Sequence, residues 1–210
     1  MDFSDILSQW YAINKRDLPW RSTVNPYYIW LSEIILQQTR VNQGLPYYLK
    51  FIDAFPAVAD LANADEDLVL KLWQGLGYYS RARNLQFSAK LILSEFGGNF
   101  PDNHADILKL KGVGPYTAAA ISSFSFGLPF AVLDGNVIRV LSRVFGIQTP
   151  FDTTAGKKQF QKLAQELLDK KNPAEYNQAI MEFGALQCTP KSPKCSRCPF
   201  TNECVAFIDI

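Results

Sequence analysis

Apolar positions recur along this chain at steps of three and four. Residues 80–96 set Ala82, Leu85, Ala89, Ile92, Leu93 and Phe96 on one stripe. Residues 154–169 repeat it with Phe160, Leu163, Ala164, Leu167 and Leu168. That spacing describes one face of an α-helix. Ser80 predicts an N-cap for the first helix and Gly97 its stop. Asn25-Pro26 opens another, with asparagine as cap and proline at the first helical position, where its missing N–H is no loss. Similar patterns predict helices near 3–14, 44–55, 65–73, 104–110, 116–125, 135–145 and 174–186. No segment alternates as a strand does over six or more residues, so the expected fold class is all-α. Neither a low-complexity linker nor an internal repeat divides the chain.

Length and composition narrow the class without naming a function. A chain of 210 residues that is 48% apolar is long enough for one or two folded domains with a sizeable core. The opening MDFSDILSQW carries acids and no long apolar run, so it reads as neither signal peptide nor membrane anchor. The expected location is cytoplasmic, or the nucleoid of a bacterium, with no membrane partner. A net charge of +1 argues weakly against non-specific nucleic-acid binding, but local patches decide that property. One basic cluster is Lys191, Lys194 and Arg197; another is Arg81 and Arg83. Each is equally readable as solvated surface.

The chemistry-bearing residues are concentrated. All four cysteines, Cys188, Cys195, Cys198 and Cys204, lie in the last 23 residues with the spacing C-x6-C-x2-C-x5-C. Four thiolates in one short loop suit tetrahedral zinc or an iron–sulfur cluster. The spacing lacks the paired C-x2-C of common zinc sites. Two disulfides are the alternative, but nothing suggests secretion. A second feature is the turn Leu110-Lys111-Gly112-Val113-Gly114-Pro115-Tyr116-Thr117-Ala118. Its glycines permit a tight bend, and Pro115 opens a small-residue helix. The amides of Gly112, Val113 and Gly114 are expected to face outward, where a helix start can hold a phosphate. An ordinary turn between packed helices is the other reading.

The stretch L-x-G-V-G-x-x-T-A resembles the hairpin of the helix–hairpin–helix DNA glycosylases, and iron–sulfur members of that superfamily carry a four-cysteine loop of this spacing. The resemblance implies a 4Fe-4S cluster on Cys188, Cys195, Cys198 and Cys204. Endonuclease III carries a Schiff-base lysine where this chain has Tyr116, so a monofunctional enzyme is implied. The segments Pro19-Trp20-Arg21, Trp30 to Val41, Gly75 to Arg83, Leu133 to Val137 and Asn177-Gln178-Ala179 resemble the MutY-type adenine DNA glycosylases. The likeness covers essentially the whole chain. It implies excision of adenine mispaired with 8-oxoguanine or guanine in double-stranded DNA, by a monomer.

The resemblance also implies roles, residue by residue. Glu33 is the only charged residue between positions 22 and 39. Such surroundings are expected to raise its pKa, which suits the general acid that protonates adenine N7. A solvated stripe of Glu33, Gln37 and Arg40 is the plain alternative. Asp134 matches the carboxylate that stabilises the oxocarbenium-like sugar, and it also reads as an N-cap. Trp20 and Arg21 match base-pocket positions, and Tyr116 another, where helix packing is the alternative. Gln38, Leu76 and Tyr78 match residues that wedge the duplex while the target base flips out. Gln178 stands where some relatives have glutamate. Lys191, Lys194 and Arg197 are expected to meet phosphates from the cluster loop.

Two lobes follow from the resemblance: a helical barrel over 22–131 containing the hairpin, and 1–21 with 132–210 holding the cluster. Glu33 and Asp134 are then expected on opposite walls of a cleft. MutY-type proteins usually continue into a C-terminal domain that helps recognise 8-oxoguanine, whereas this chain ends six residues after Cys204. A mismatch-specific thymine glycosylase of the same fold is the nearest rival, and a non-catalytic iron–sulfur DNA-binding module is the rival of another class.

Overall fold

A computed structural model describes residues 2–208. It is helical throughout, and no strand occurs among the described residues. The helices are α1 (Phe3–Asn14), α2 (Pro26–Leu36), α3 (Val41–Ala54), α4 (Val58–Asn63), α5 (Glu66–Trp73), α6 (Ser80–Glu95), α7 (His104–Ile107), α8 (Pro115–Phe126), α9 (Gly135–Phe145), α10 (Thr154–Leu167), α11 (Pro173–Leu186) and α12 (Val205–Ile208). Short 3₁₀ turns occupy Pro19–Arg21 and Cys195–Arg197. No helix among the described residues is long and apolar enough to cross a membrane.

The chain divides into two compact units, Leu18–Phe126 and the pair Met1–Asp17 with Gly127–Ile210. These boundaries differ from those expected at 21/22 and 131/132. Trp20 belongs with the first unit because its ring meets Tyr48 edge-on, centroids 5.2 Å apart. Residues 129–131 belong with the second because Gln165 holds the Ala131 N–H and the Pro129 carbonyl.

The core of the Leu18–Phe126 unit is α2, buried nearly all round through Tyr27, Ile29, Trp30, Leu31, Ile34 and Ile35. Its N-terminus is capped as expected: Asn25 Oδ1 accepts from the Tyr27 N–H at 3.0 Å, with Pro26 next. Helix α8 packs against α2, and its Ala118, Ala119 and Ala120 permit close approach. Helix α6 lies on α4 and α5. Ser80 is not its cap, contrary to expectation. Tyr79 takes that position without a side-chain bond, and Ser80 is the first helical residue. The expected 104–110 helix is only four residues long and continues as turns into the hairpin.

In the other unit α11 is central, with α1 and α9 packed on it and α12 on α9. A Cβ at Gly184 would stand 2.7 Å from the Asn136 Cβ, so glycine sets how closely α11 and α9 meet. Arg16 clamps the buried Glu182 of α11 with Nε, Nη2 and its own backbone N–H at 2.9, 2.6 and 2.9 Å.

Candidate active-site residues and metal centre

Helix α2 carries Glu33, which is 8% exposed among aromatic and aliphatic neighbours. Gln37 is half-buried and Arg40 exposed, so the three do not form a solvated stripe. One turn beyond Glu33, Gln37 Nε2 donates to the Gly112 carbonyl at 3.2 Å. The helix bearing the buried acid therefore ends against the hairpin.

The hairpin is buttressed by α6: Ser88 Oγ donates to the Lys111 carbonyl at 3.1 Å, and a Cβ at Gly112 would press on Asn84 at 3.2 Å. Gly112 has a φ of 85°, a conformation that favours glycine. The expectation of three outward amides needs correction. The Val113 N–H is spent on the Leu110 carbonyl at 3.1 Å, and its side chain is buried. A tight turn must close one internal bond, which leaves the exposed Gly112 and Gly114 as amide donors. Tyr116 follows at the second position of α8, half-buried.

Gln38 and Tyr78 come together: both line a small cleft of about 150 Å³, with Gln37, Ser80 and Arg81. Tyr78 is 66% exposed, so it does not anchor its loop by burial, whereas Leu76 is buried and does. Trp20 is also buried, and Arg21 is half-buried beside it. The Arg81/Arg83 patch does not exist as a surface. Arg83 is exposed and pairs with Glu66 at 3.2 Å, but Arg81 is buried. Backbone carbonyls take the place of water around it.

Asp134 caps α9: Oδ1 accepts from the Val137 N–H and Oδ2 from Asn136 Nδ2, both at 2.8 Å. Desolvation raises its pKa above the usual carboxylate value, against the pull of those donors. The approach to Asp134 is fixed by Asn177, whose Oδ1 accepts from the Val132 N–H and whose Nδ2 donates to the Phe130 carbonyl. Beside it on α11, Gln178 accepts from the Tyr11 hydroxyl at 2.8 Å.

Sequence reasoning missed Asn136 and Arg139. Arg139 Nη2 donates to Asn136 Oδ1 at 2.9 Å and to the Gly184 carbonyl at 2.6 Å, while Nε reaches the Cys188 carbonyl at 2.8 Å. The available signal was positional, an amide and a cation three residues apart on a helix starting at a candidate carboxylate.

Arg143, one turn on, holds the start of the cysteine loop through Cys188 Sγ at 3.4 Å and the Thr189 carbonyl at 2.8 Å. The loop closes on itself through Gln187 and Lys194, and through the Thr201 hydroxyl on the Cys195 and Cys198 carbonyls. The four thiols are unbridged and line one cavity of about 220 Å³ with Arg143 and Phe183. Among the described residues no three His, Cys, Asp or Glu side chains converge to hold a single metal ion. A mononuclear zinc needs its sulfurs about 2.3 Å from one centre. A cluster that fills the middle with its own iron and sulfide needs a cavity such as this, and its ligands are thiolates. Burial pushes the Cys198 thiol up to about 11 and raises that of Cys204. Thiolates there need a shared cation, which iron supplies. The donor set and the space both fit. Lys191, Lys194 and Arg197 are exposed on the same loop.

Comparison with known proteins agrees with this arrangement. Residues 31–170 match the HhH-GPD superfamily of base excision DNA repair proteins, and residues 188–204 match the iron–sulfur binding domain of endonuclease III. The loop is thus an iron–sulfur centre of the 4Fe-4S class. The adenine DNA glycosylase of Buchnera aphidicola subsp. Baizongia pistaciae is 40% identical over 211 residues, 99% of this chain and 58% of that protein. The human adenine DNA glycosylase is 44% identical over 213 residues, 97% of this chain and 39% of its own length. The chain therefore spans 58% and 39% of the length of these relatives. Among solved structures, a thermostable thymine-DNA glycosylase matches with a TM-score of 0.92 at 30% identity, covering 99% of this chain and 96% of that one. A non-covalent endonuclease III–DNA complex matches with a TM-score of 0.83 at 20% identity, covering 98% and 94%, which speaks for the fold.

Proposed function

This chain belongs to the HhH-GPD superfamily of base excision DNA repair proteins, and we propose that within it the chain hydrolyses the N-glycosidic bond of adenine mispaired with 8-oxoguanine or guanine in duplex DNA. The observation that carries the proposal is Glu33, a carboxyl buried in an apolar helix that ends on the hairpin. A positioned carboxyl of this kind can serve as a general acid. Adenine leaves well only after N7 is protonated, and Glu33 is the donor. Thymine can depart as an anion and has no comparable need.

Asp134 then faces the positive charge that grows on the sugar, held by its cap bonds in the orientation to stabilise it. The hairpin amides of Gly112 and Gly114 and the start of α8 hold a backbone phosphate. Gln38 and Tyr78 fill the space of the flipped nucleotide while buried Leu76 anchors the turn that carries Tyr78, and Trp20, Arg21, Tyr116 and Gln178 are assigned as contacts to the base. Cys188, Cys195, Cys198 and Cys204 would hold the cluster, which would supply structural order to the loop. That order presents Lys191, Lys194 and Arg197 to phosphates. Tyr116 provides no amine, so the strand is left intact at the abasic site. The enzyme works as a monomer and acts where the chromosome lies.

A second reading has one observation in its favour: the thymine-DNA glycosylase matches this chain nearly end to end. Single-turnover reactions on duplexes carrying A opposite 8-oxoguanine, A opposite G and T opposite G separate the two. Adenine release from the first two and no thymine release is expected. Glu33→Gln lowers adenine release about 100- to 10,000-fold while duplex affinity holds. Thymine release alone establishes the second reading. Tight binding with no base released from any duplex establishes a non-catalytic module.

A further inference from the structure

Arg81 joins two turns that lie far apart in the sequence. Its Nη1 donates to the carbonyls of Ile34, Ile35 and Gln37 at 3.0, 2.9 and 2.7 Å, and lies 3.4 Å from Thr39 Oγ1. Its Nη2 donates to the carbonyls of Leu76 and Gly77, both at 3.3 Å. The end of α2 welcomes the cation, since a helix C-terminus presents unpaired carbonyls and a negative dipole end. The guanidinium also stacks over Trp73, 5.0 Å from its centroid, and lies 5.8 Å from the Tyr78 ring. Trp73 itself holds the second turn, Nε1 to the Gly77 carbonyl at 2.9 Å.

Each of the two turns carries a non-glycine residue in the left-handed region, Gln38 at φ 55° and Tyr78 at φ 49°. Among the described residues only Ser192 shares that property. Such conformations persist where the surroundings over-determine them, and they gather at functional sites. Gln38 and Tyr78 share one small cleft, and Arg81 forms part of its wall.

We infer that Arg81 is a positioning residue for DNA discrimination: its two-sided fork holds Gln38 and Tyr78 in the strained geometry from which they enter the duplex. The inference rests on the wedge role proposed above for those two residues. An ammonium cannot replace the fork, because a single nitrogen cannot serve both turns in one plane.

Arg81→Lys, Tyr78→Ala and the double variant test it in the full chain with its cluster. The readout is the ratio of affinities for an A–8-oxoguanine duplex and the matched A–T duplex, measured by fluorescence anisotropy, with circular dichroism and thermal unfolding in parallel. Arg81→Lys is expected to remain folded and to lower the ratio about tenfold, with the double variant no worse than Tyr78→Ala alone, as for two residues acting through one contact. Additive losses would overturn the inference, as would an unchanged ratio in folded Arg81→Lys. Loss of the helical spectrum in Arg81→Lys would make the guanidinium a folding element and overturn it too. A ratio untouched by Tyr78→Ala removes the wedge and the inference with it. The adenine glycosylase reading fails separately, by absence of adenine release from the wild type, because binding ratios need no cleavage.

Discussion

Asp134 carries two duties that pull its proton affinity in opposite directions. As a cap it accepts two short bonds that favour the carboxylate, yet desolvation wins and its folded pKa is raised. The folded chain therefore binds this proton more tightly than the unfolded chain does. Stability is highest at low pH on this account and is forfeited as pH rises from about 4 through the folded pKa. Asparagine keeps one oxygen to cap Val137 but sets an amide nitrogen against Asn136 Nδ2, so one bond is lost. Relative to wild type, Asp134→Asn should therefore be weakest near about pH 4 and gain as pH rises to about 7, where the wild type carries a desolvated charge. Urea unfolding across that range checks it. Adenine release should collapse across the whole range in which the variant stays folded, and activity lost only where it unfolds would refute the separation of the two duties. Tyr116 gives the complementary test. Tyr116→Lys should add strand cleavage and a borohydride-trappable DNA adduct that the wild type lacks. Robust trapping by the wild type would place the nucleophile on another lysine.

At the scale of elements, what the sequence disclosed depended on whether the cause was local. Asn25-Pro26, Asp134 and Thr153 each cap within three residues, so the starts of α2, α9 and α10 were within reach of pattern. Helix α4 has six residues, too few to show a period, and it was not anticipated. Arg81 was misread for a deeper reason. Its burial is decided by carbonyls more than forty positions upstream, at Ile34 to Gln37, and no local pattern reports them. The Val113 amide failed similarly, because whether it closes the turn or faces solvent is a matter of one hydrogen bond. The cysteine loop was the opposite case, since spacing alone assembled the donor set, and the resemblance carried by the hairpin selected a cluster over a single zinc. Purified chain should accordingly be yellow-brown with about four irons. Cys198→Ala should lose iron and visible absorption together. A colourless, folded protein with one zinc would refute the cluster.

For the whole molecule, the division at Asp17/Leu18 and Phe126/Gly127 left no trace in composition, because neither crossing has a linker of its own. The unit it defines is interrupted: α1 belongs with α11, joined by Arg16 and Glu182 across most of the sequence. That arrangement sets an order of events on the ribosome. Leu18–Phe126 is contiguous and can fold as soon as it clears the exit tunnel. Helix α1 is synthesised before it and must wait for α11. During that interval the apolar side of α1, with Leu7 and Tyr11, has no native partner and is open to chaperones or proteases. Nascent chains arrested with residue 150 exposed should therefore resist limited proteolysis across 18–126 while losing residues 1–17. Chains with residue 208 exposed should protect both. Early protection of α1 would show that it finds a transient partner before its native one exists, and that folding starts at α1 rather than within Leu18–Phe126.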